Sequence, residues 1–459
     1  MSKSKKLVIE SSSVSSSEDE KNIQTSVDDN STDLDPELKY IPMIVQLQKN
    51  SSLILDNEPT VLLSGNIDYP QLEYGYHHYI HDNASKAKTI FKKFEGKKKV
   101  YLVLNKFEPH IDNYNDNIAG IAKQYFKLGD KIDIVHRSFF KLWEILMLFD
   151  LIDISNDKFV SVHLSEKYGS FVQAVMLYRD MYGKKNISNN DKYCMIPIHK
   201  DNDSVDNTFT SSYKKEKRII MQKINDVSGL ADLITADNFF DSTSKNIQEQ
   251  YAFKFIINSI ISAIHVQKKG GVFICRFYET FTNTSMKIIE ILNELYDTVY
   301  FIKPLMSRGT SPEKYAVCVG FKYDNKHKDY KNIIKNLNTL NDTINKNKKD
   351  NIIDIFTDYK IPKLLIHTII QINKMISNPR LKIIGEMLTY IDKENYFADE
   401  YHTRRDEQIL CSKYWMNLFY PDDINKNKKI FKNIISILTK KAVNQIKKLD
   451  DKLVFVESQ

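Results

Sequence analysis

The middle third of the chain alternates short apolar segments with longer segments of helical periodicity. Seven of the short segments are rich in β-branched and aromatic residues and are predicted strands: KFVSVHL (158–164), YCMIPI (193–198), RIIMQKI (218–224), ADLITAD (231–237), GVFICRF (271–277), TVYFIK (298–303) and YAVCVGF (315–321). The segment QEQYAFKFIINSIISAIHVQKKGG, which leads into the fifth of them, has apolar residues at helical spacing and ends in a Gly-Gly stop. Strands that alternate with helices predict a mostly parallel α/β sheet covered on both faces. No helix is predicted between the last two strands, so we expect the last strand to insert antiparallel. A ligand crevice is expected at the carboxyl ends of the central strands.

The flanking regions differ from this pattern. Residues 1–36 are acidic and serine-rich, with too few apolar groups to bury, and are predicted to be disordered. Residues 37–125 have a mixed pattern, with a predicted strand at KKVYLVLN, and are interpreted as an accessory region before the α/β domain at 126–325. Residues 326–459 are rich in lysine, isoleucine and asparagine with helical periodicity, as in KLLIHTIIQINKMI, and predict a helical, lysine-rich accessory domain.

Composition narrows the class of protein only slightly. The formal net charge is +7 although residues 1–36 are acidic, so the rest of the chain is more basic and fits a polyanionic partner such as RNA. Codon bias in an A+T-rich genome is an alternative explanation for the lysine content. Charge alone does not decide between an RNA partner and codon bias. The four cysteines have no metal-binding spacing, and the N-terminus lacks the apolar core of a signal peptide. The most apolar segment, FKFIINSIISAIHV, is too short for a bilayer. We therefore expect a soluble intracellular protein that has no contact with membranes.

Two groups of residues are candidates for chemistry. Lys141, Asp237, Arg276 and Glu313 each lie near a predicted strand end or in a helix beside it, where two cations and two carboxylates would perturb one another's pKa values. Unrelated solvated charges are the alternative for any one of them. The histidine-rich stretch LEYGYHHYIHDN could imitate metal ligands, but no Cys or acidic partner lies at a recognisable distance. We interpret that stretch as a loop packed by aromatic residues and predict no metal site.

Several short motifs make a resemblance specific. The stretches LITADNFFD, NIQEQYAFKF through KKGGVFICRFYETFT, and IKPLMSRGTSPEKYAVCVGFK are similar to the FtsJ-like RNA 2′-O-methyltransferases, in the cap-specific branch found in eukaryotes and large DNA viruses. Upstream, RSFFKLWEI resembles the segment that carries the family's first catalytic lysine. The resemblance covers about 130–322 and implies a Rossmann-like class I methyltransferase sheet of seven strands, the last one antiparallel.

The resemblance also implies a set of catalytic residues. The family uses a Lys-Asp-Lys-Glu tetrad with S-adenosylmethionine to methylate a ribose 2′-hydroxyl, and position by position this tetrad falls on Lys141, Asp237, Arg276 and Glu313. The third member departs from the family, because a lysine can lose its proton in such a site and a guanidinium effectively cannot. Losing a general base commonly slows a reaction roughly 100- to 10,000-fold.

A second departure lies in the implied cofactor motif. Family members read approximately HLCEAPGGF after the first strand, whereas this chain reads HLSEKYGSF at 163–171, with bulky Lys167 and Tyr168 in place of Ala-Pro. The resemblance assigns S-adenosylmethionine contacts to Glu166, Gly169, Ser170 and Phe171, and to Asp226 near the adenine.

Three hypotheses follow for function. The first is a cap ribose 2′-O-methyltransferase acting on the 5′ end of mRNA, and the second is a catalytically degenerate relative that binds RNA or serves as a subunit beside other capping or transcription proteins. A small-molecule methyltransferase or dinucleotide enzyme is the third, opposed by the absence of G-x-G-x-x-G and by the SR…S-x-E-x-Y segment. The Lys/Asn/Ile bias together with this branch of the family fits a giant virus, and hence the host cytoplasm or the virion.

Overall fold

The computed structural model describes residues 39–51, 53–91, 104–196, 206–221, 231–238, 248–324, 326–347, 350–392 and 399–457. The tail predicted to be disordered, the candidate Asp226 and most of the strand predicted at KKVYLVLN lie outside the described residues. The ends of two predicted strands, at 197–198 and 222–224, also lie outside them.

Eight of the ten described strands form one central sheet. In chain order the strands are β1 (Met43–Gln46), β2 (Val61–Ser64), β3 (Val160–Leu164), β4 (Lys192–Ile196), β5 (Ile219–Met221), β6 (Ala231–Ala236), β7 (Gln267–Phe277), β8 (Tyr296–Lys303), β9 (Lys314–Phe321) and β10 (Asn351–Ile355). The sheet order is β1-β8-β9-β7-β6-β3-β4-β5, with parallel pairing from β7 to β5 and β9 antiparallel to both β7 and β8. The seven predicted strands and the antiparallel insertion of the last one are confirmed.

The structure adds a strand that the sequence did not signal. β1 pairs antiparallel with the outer edge of β8. It was missed because a strand of four residues is too short to show a period-2 pattern. A separate two-stranded ladder joins β2 to β10, so a strand also lies within the C-terminal region that was predicted to be helical.

Eleven α-helices lie among the described residues. They are α1 (Tyr74–Phe91), α2 (Ile118–Tyr125), α3 (Ser138–Phe149), α4 (Ser170–Tyr182), α5 (Asn207–Ser212), α6 (Gln248–Val266), α7 (Asn283–Leu295), α8 (Tyr330–Lys346), α9 (Lys363–Asp392), α10 (Asp399–Phe419) and α11 (Asn425–Glu457). The predominantly helical character of the C-terminal region is therefore confirmed. Among the described helices, none combines the length and the apolar content that a membrane span requires.

Two local predictions were wrong. The histidine-rich stretch is not a loop but part of α1, because Ile80 packs in a small apolar cluster with Ile384 and Met387 of α9 and gives the polar segment a buried face. The Gly-Gly pair does not stop α6, which ends at Val266. Gly270 lies inside β7 with a φ of +81°, a backbone conformation that favours glycine.

The apolar core extends from the sheet to the C-terminal helices. Phe273 of β7 and Val299 of β8 belong to the same buried cluster as Leu337 of α8 and Ile369 of α9. Parallel strands with helices on both sides need apolar residues on both faces, which is why they appear as nearly continuous apolar runs in the sequence. This continuous core fixes the ends of β6, β7 and β9, where the candidate site lies.

Candidate active site

Three of the four predicted catalytic residues lie at one edge of the sheet. Asp237 directly follows β6, and Arg276 is the penultimate residue of β7, the parallel neighbour of β6. Glu313 directly precedes β9, in which Tyr315 pairs with Arg276. Because β9 runs antiparallel, it starts where β7 ends, and Glu313 therefore reaches the carboxyl edge of the parallel strands.

The fourth residue completes a continuous set of ion pairs. Arg276 donates from Nη1 to Oδ1 of Asp237 at 2.9 Å, and its Nη2 lies 3.3 Å from Oε2 of Glu313. Lys141, from α3, places its Nζ 2.6 Å from Oε1 of Glu313. The four side chains are between 1% and 11% exposed. The structure thus brings all four residues together in a buried cluster, and their catalytic role stays a prediction.

Burial perturbs the ionisation of this cluster. Burial lowers the pKa of Lys141 to about 8, and repulsion from Arg276 and Arg137 acts in the same direction, against the attraction of Glu313. Burial alone would raise the pKa of Glu313, but Lys141, Arg276 and Lys303 hold it well below its ordinary value. Near neutral pH, Glu313 is therefore a carboxylate, whereas Lys141 can exchange a proton.

Arg276 stays charged. Burial opposes its charge, but the neighbouring Tyr278, Asp237 and Glu313 raise its pKa well above the ordinary value. The centre of its guanidinium also lies 5.1 Å from the centroid of the Tyr278 ring, within the range of a cation–π contact. A group that bridges two carboxylates and cannot accept a proton therefore occupies this position.

The two carboxylate oxygens of Asp237 differ in their hydrogen-bond partners. Its Oδ1 accepts from Arg276, whereas Oδ2 is buried and has no hydrogen-bond partner among the described residues. A buried acceptor left unsatisfied costs about 1–3 kcal/mol, so such atoms are rare and call for an explanation. A substrate hydroxyl that donates to Oδ2 would remove this cost.

The loop before Glu313 is held by a buried lysine. Lys303, the last residue of β8, donates from Nζ to the carbonyl oxygen of Ser311 at 2.6 Å and to that of Glu313 at 3.2 Å. Burial lowers the pKa of Lys303 to about 7, in part against the attraction of Glu313. Its ammonium group therefore fixes the backbone of the residue whose carboxylate joins the cluster.

The same loop is held from α3 by a buried acid. Glu144 accepts from the backbone N of Leu305 at 2.7 Å, from that of Met306 at 3.2 Å, and from Nε1 of Trp415 at 3.2 Å. Burial raises its pKa to about 7, although these three donors act against that shift. α3 therefore supplies Lys141 to the cluster and, three residues later, the acid that positions the loop.

The predicted cofactor turn joins β3 to α4. Gly169 has a φ of +70° and precedes the first residue of α4, Ser170, whose backbone N donates to Oε1 of Glu166 at 3.1 Å. Glu166 is buried, which raises its pKa to about 8, and Asp237 adds to the shift. Phe171 is fully buried behind the turn. The strand–turn–helix geometry and the left-handed glycine are what a cofactor turn at this place requires.

Aromatic side chains surround this turn. The Tyr168 ring stacks on His136, with centroids 4.0 Å apart and an interplanar angle of 12°. A Cβ built on Gly169 would lie 2.2 Å from the ring of Phe209, which comes from α5. The ring that closes on Gly169 is therefore Phe209, because Tyr168 is held against His136.

Sequence reasoning missed two residues of this site. Glu144 had a usable signal, because it lies three residues after Lys141 on a helix that is otherwise apolar and must share its buried face. Phe209 had none, since its segment DNTFTSS reads as a polar loop and reaches Gly169 only through the tertiary fold.

A family model matches the region that contains this site. The model is described as "FtsJ-like methyltransferase" and matches residues 134–321. Residues 134–321 form an FtsJ-like methyltransferase domain. The charge cluster and the turn at Gly169 both belong to the FtsJ-like domain, whereas α1, β1 and helices α8–α11 lie outside it.

Curated proteins similar to this chain are named for cap methylation. "Inactive cap-specific mRNA (nucleoside-2'-O-)-methyltransferase 1B" of Caenorhabditis briggsae is 25% identical over 187 residues, which cover 40% of this chain and 22% of that protein. Its counterpart 1A from the same organism, whose name lacks the word inactive, is 26% identical over 189 residues, covering 40% and 21%. "Cap-specific mRNA (nucleoside-2'-O-)-methyltransferase 1" of Caenorhabditis elegans is 22% identical over 287 residues, covering 58% and 30%. The FtsJ-like domain and its surroundings thus span between 21% and 30% of the length of these relatives.

Proposed function

We propose that this protein is an S-adenosylmethionine-dependent methyltransferase that modifies a ribose 2′-hydroxyl near the 5′ end of capped mRNA. The observation that supports this proposal most strongly is the meeting of Lys141, Asp237, Arg276 and Glu313 at the carboxyl edge of the FtsJ-like domain. Solvated charges that are unrelated to one another would not be buried together in one set of ion pairs. The names of the cap-specific relatives supply the proposed substrate.

The backbone conformation of the turn between β3 and α4 fits the binding of a methyl donor. Glu166 is buried beneath the turn, and Gly169 has the left-handed conformation that lets the chain turn directly into α4. We assign the binding of S-adenosylmethionine to Glu166, Gly169, Ser170 and Phe171, with Asp226 outside the described residues. When bound, the cofactor supplies an electrophilic methyl group on a sulfonium centre.

Asp237 and Arg276 act on the attacking hydroxyl in this proposal. Oδ2 of Asp237, which has no partner among the described residues, accepts the hydrogen bond of the ribose 2′-hydroxyl and directs its oxygen lone pair towards the methyl carbon. Arg276 holds Asp237 in place through Nη1. Because Arg276 cannot accept the proton, another group must take it as the new carbon–oxygen bond forms and the carbon–sulfur bond breaks.

Lys141 is the group of this cluster that can take the proton. With its pKa lowered to about 8, roughly one tenth of the molecules have a neutral Lys141 at pH 7. Glu313 holds the Nζ at 2.6 Å, so that the protonated product state is stabilised. The rate is therefore expected to rise about tenfold per pH unit below pH 8 and to level off above it.

A second function is favoured by one specific observation. The ring of Phe209 lies against Gly169, where backbone and cofactor would approach each other, and Arg276 replaces the ionisable lysine of the family. A catalytically degenerate member that binds RNA or assists other capping proteins would tolerate both changes. One of the similar proteins is itself named inactive.

Two measurements on the full chain separate these functions. Calorimetry with S-adenosylmethionine tests the turn, with Asp237→Asn as a variant whose turn is intact. Transfer of a labelled methyl group to capped RNA tests the chemistry, and RNA that is already 2′-O-methylated at its first nucleotides is the matched control. Cofactor binding with transfer to the unmodified RNA alone supports the first function. Absence of binding, restored by Phe209→Ala, supports the second.

A further inference from the structure

A cluster of metal-binding side chains lies outside the charge cluster of the FtsJ-like domain. His77 and His81 are four residues apart on α1 and therefore share one face of that helix. Glu279, two residues beyond the end of β7, brings a carboxylate to the same face. One nitrogen from each imidazole and one oxygen of Glu279 lie within 4.8 Å of one another. The acidic partner that the sequence did not show is thus supplied by a residue 198 positions away.

The two oxygens of Glu279 have different partners. Oε2 lies 2.9 Å from Nε2 of His81, and Oε1 accepts from Nη1 of Arg380 at 2.5 Å. The guanidinium of Arg380 pairs with Oε1, so Glu279 is a carboxylate and can only accept hydrogen bonds. Nε2 of His81 therefore has the hydrogen and donates it to Glu279.

This arrangement leaves the other ring nitrogen of His81 without a partner. His81 is 4% exposed, and its Nδ1 has no hydrogen-bond partner among the described residues. A carboxylate that fixes one imidazole nitrogen while the other binds a metal is the usual surrounding of a metal-ligating histidine. A buried ring nitrogen without a partner is otherwise costly.

The histidines line a cavity that favours a cation. The cavity has a volume of about 370 Å³, and both His77 and His81 belong to its wall. Asp68 and Asp82 line the same cavity, and because, among the described residues, only Asp82 is paired with a lysine, Lys86 at 2.8 Å, Asp68 leaves a negative charge beside it. Water from the cavity can fill the coordination positions that the protein leaves open.

We propose that His77, His81 and Glu279 form a binding site for a divalent transition-metal ion, with Zn²⁺ as the natural probe. His77 and His81 supply imidazole nitrogens, the ligand type that suits zinc, and Glu279 holds His81 in the tautomer whose Nδ1 can coordinate. The site joins α1, α9 and the end of β7, because Arg380 of α9 holds the second oxygen of Glu279. A bound ion would therefore stabilise the packing of α1 next to the FtsJ-like domain.

The test is a Zn²⁺ titration of the full chain by calorimetry, with thermal unfolding as a second readout. The expected result is one ion per chain, and a melting temperature that rises with Zn²⁺ concentration because the ion binds only the folded state. His77→Gln, at a half-buried position, should weaken binding at least tenfold and remove the rise in melting temperature. Glu279→Gln should weaken binding 10- to 100-fold.

A matched control lies on the same helix. His78 is exposed, lines the same cavity and is not part of the cluster, so His78→Gln should bind Zn²⁺ as the wild type does. Cobalt substitution adds a spectroscopic signal that does not depend on stability. The proposal is overturned if the wild type binds no Zn²⁺ at submillimolar concentration, or if folded His77→Gln binds as tightly as the wild type.

Discussion

Replacing Arg276 by lysine tests the proposed transfer of the 2′-hydroxyl proton to a base in the buried cluster. Arg276 now contacts Asp237 at 2.9 Å and Glu313 at 3.3 Å and has no proton to exchange near neutral pH. A lysine has a single ammonium group and keeps one of these contacts at most, so we expect a loss of about 1–3 kcal/mol in the free energy of unfolding. The burial that lowers the pKa of Lys141 to about 8 would act on the new amine as well.

The expected kinetic effect is a gain. A general base contributes roughly 100- to 10,000-fold in rate, which is about 3–5 kcal/mol of activation free energy. Lys141, the proposed base of the wild type, contacts Glu313, whereas residue 276 contacts Asp237, which holds the hydroxyl in this proposal. An amine at position 276 would therefore be the better-placed base, and we expect Arg276→Lys to transfer methyl groups to capped RNA at least tenfold faster than the wild type in single-turnover assays between pH 7 and 8. S-adenosylmethionine affinity should be unchanged, since the partners of Arg276 among the described residues, Asp237, Glu313 and Tyr278, lie outside the turn at Gly169.

Arg276→Gln is the matched control, because it removes the charge without adding a base, and it should not gain activity. The reasoning is refuted if Arg276→Lys binds the cofactor and stays folded but is no faster than the wild type. It is equally refuted if Arg276→Gln shows the same gain, since the effect would then come from removing the guanidinium.

Three further predictions concern neighbouring residues. Asp237→Asn should lower methyl transfer at least 100-fold with little change in cofactor affinity, because the variant loses the carboxylate proposed to accept the hydrogen bond of the 2′-hydroxyl. The RNA assay measures the transfer, and calorimetry measures the affinity. Gly169→Ala should lower the free energy of unfolding by about 2–4 kcal/mol, because its Cβ would lie 2.2 Å from Phe209 at a φ of +70°. In a double-mutant cycle measured by denaturant unfolding, the Phe209→Ala background should remove the steric part of that loss. For Glu144 the folded-state pKa of about 7 is above the ordinary 4.5, so its contribution to stability is present below pH 4.5 and is lost as the pH rises to 7. The free energy of unfolding of Glu144→Gln relative to the wild type should accordingly rise by about 3 kcal/mol across that range, and equal pH profiles for the two proteins would contradict this assignment.

The parts of the fold that could be predicted were those in which local pattern and tertiary environment agree. The strands β6 and β7 are continuous apolar runs because helices cover both faces of the sheet. The antiparallel direction of β9 could be predicted because no helix precedes it. The meeting of Asp237 with Arg276 followed from the same topology. β1 was missed because four residues set no period, and its pairing with β8 is decided by an edge distant in sequence.

The surroundings of the site were harder to predict, because long-range contacts determine them. Glu279 reaches His81 across 198 positions, which no spacing rule would find, and α1 is a helix because α9 buries one face of it. Phe209 closes on Gly169 from a segment whose sequence is polar. Local sequence therefore specified the residues of the charge cluster better than the packing around them.

The most direct test of the proposed function is methyl transfer to a defined capped RNA, read by nuclease digestion and mass spectrometry. The account predicts one added methyl group on a cap-proximal ribose 2′-oxygen, at a rate that increases up to about pH 8 and is raised further by Arg276→Lys. If neither the wild type nor Arg276→Lys adds a methyl group although both bind S-adenosylmethionine, the protein is not a cap ribose methyltransferase.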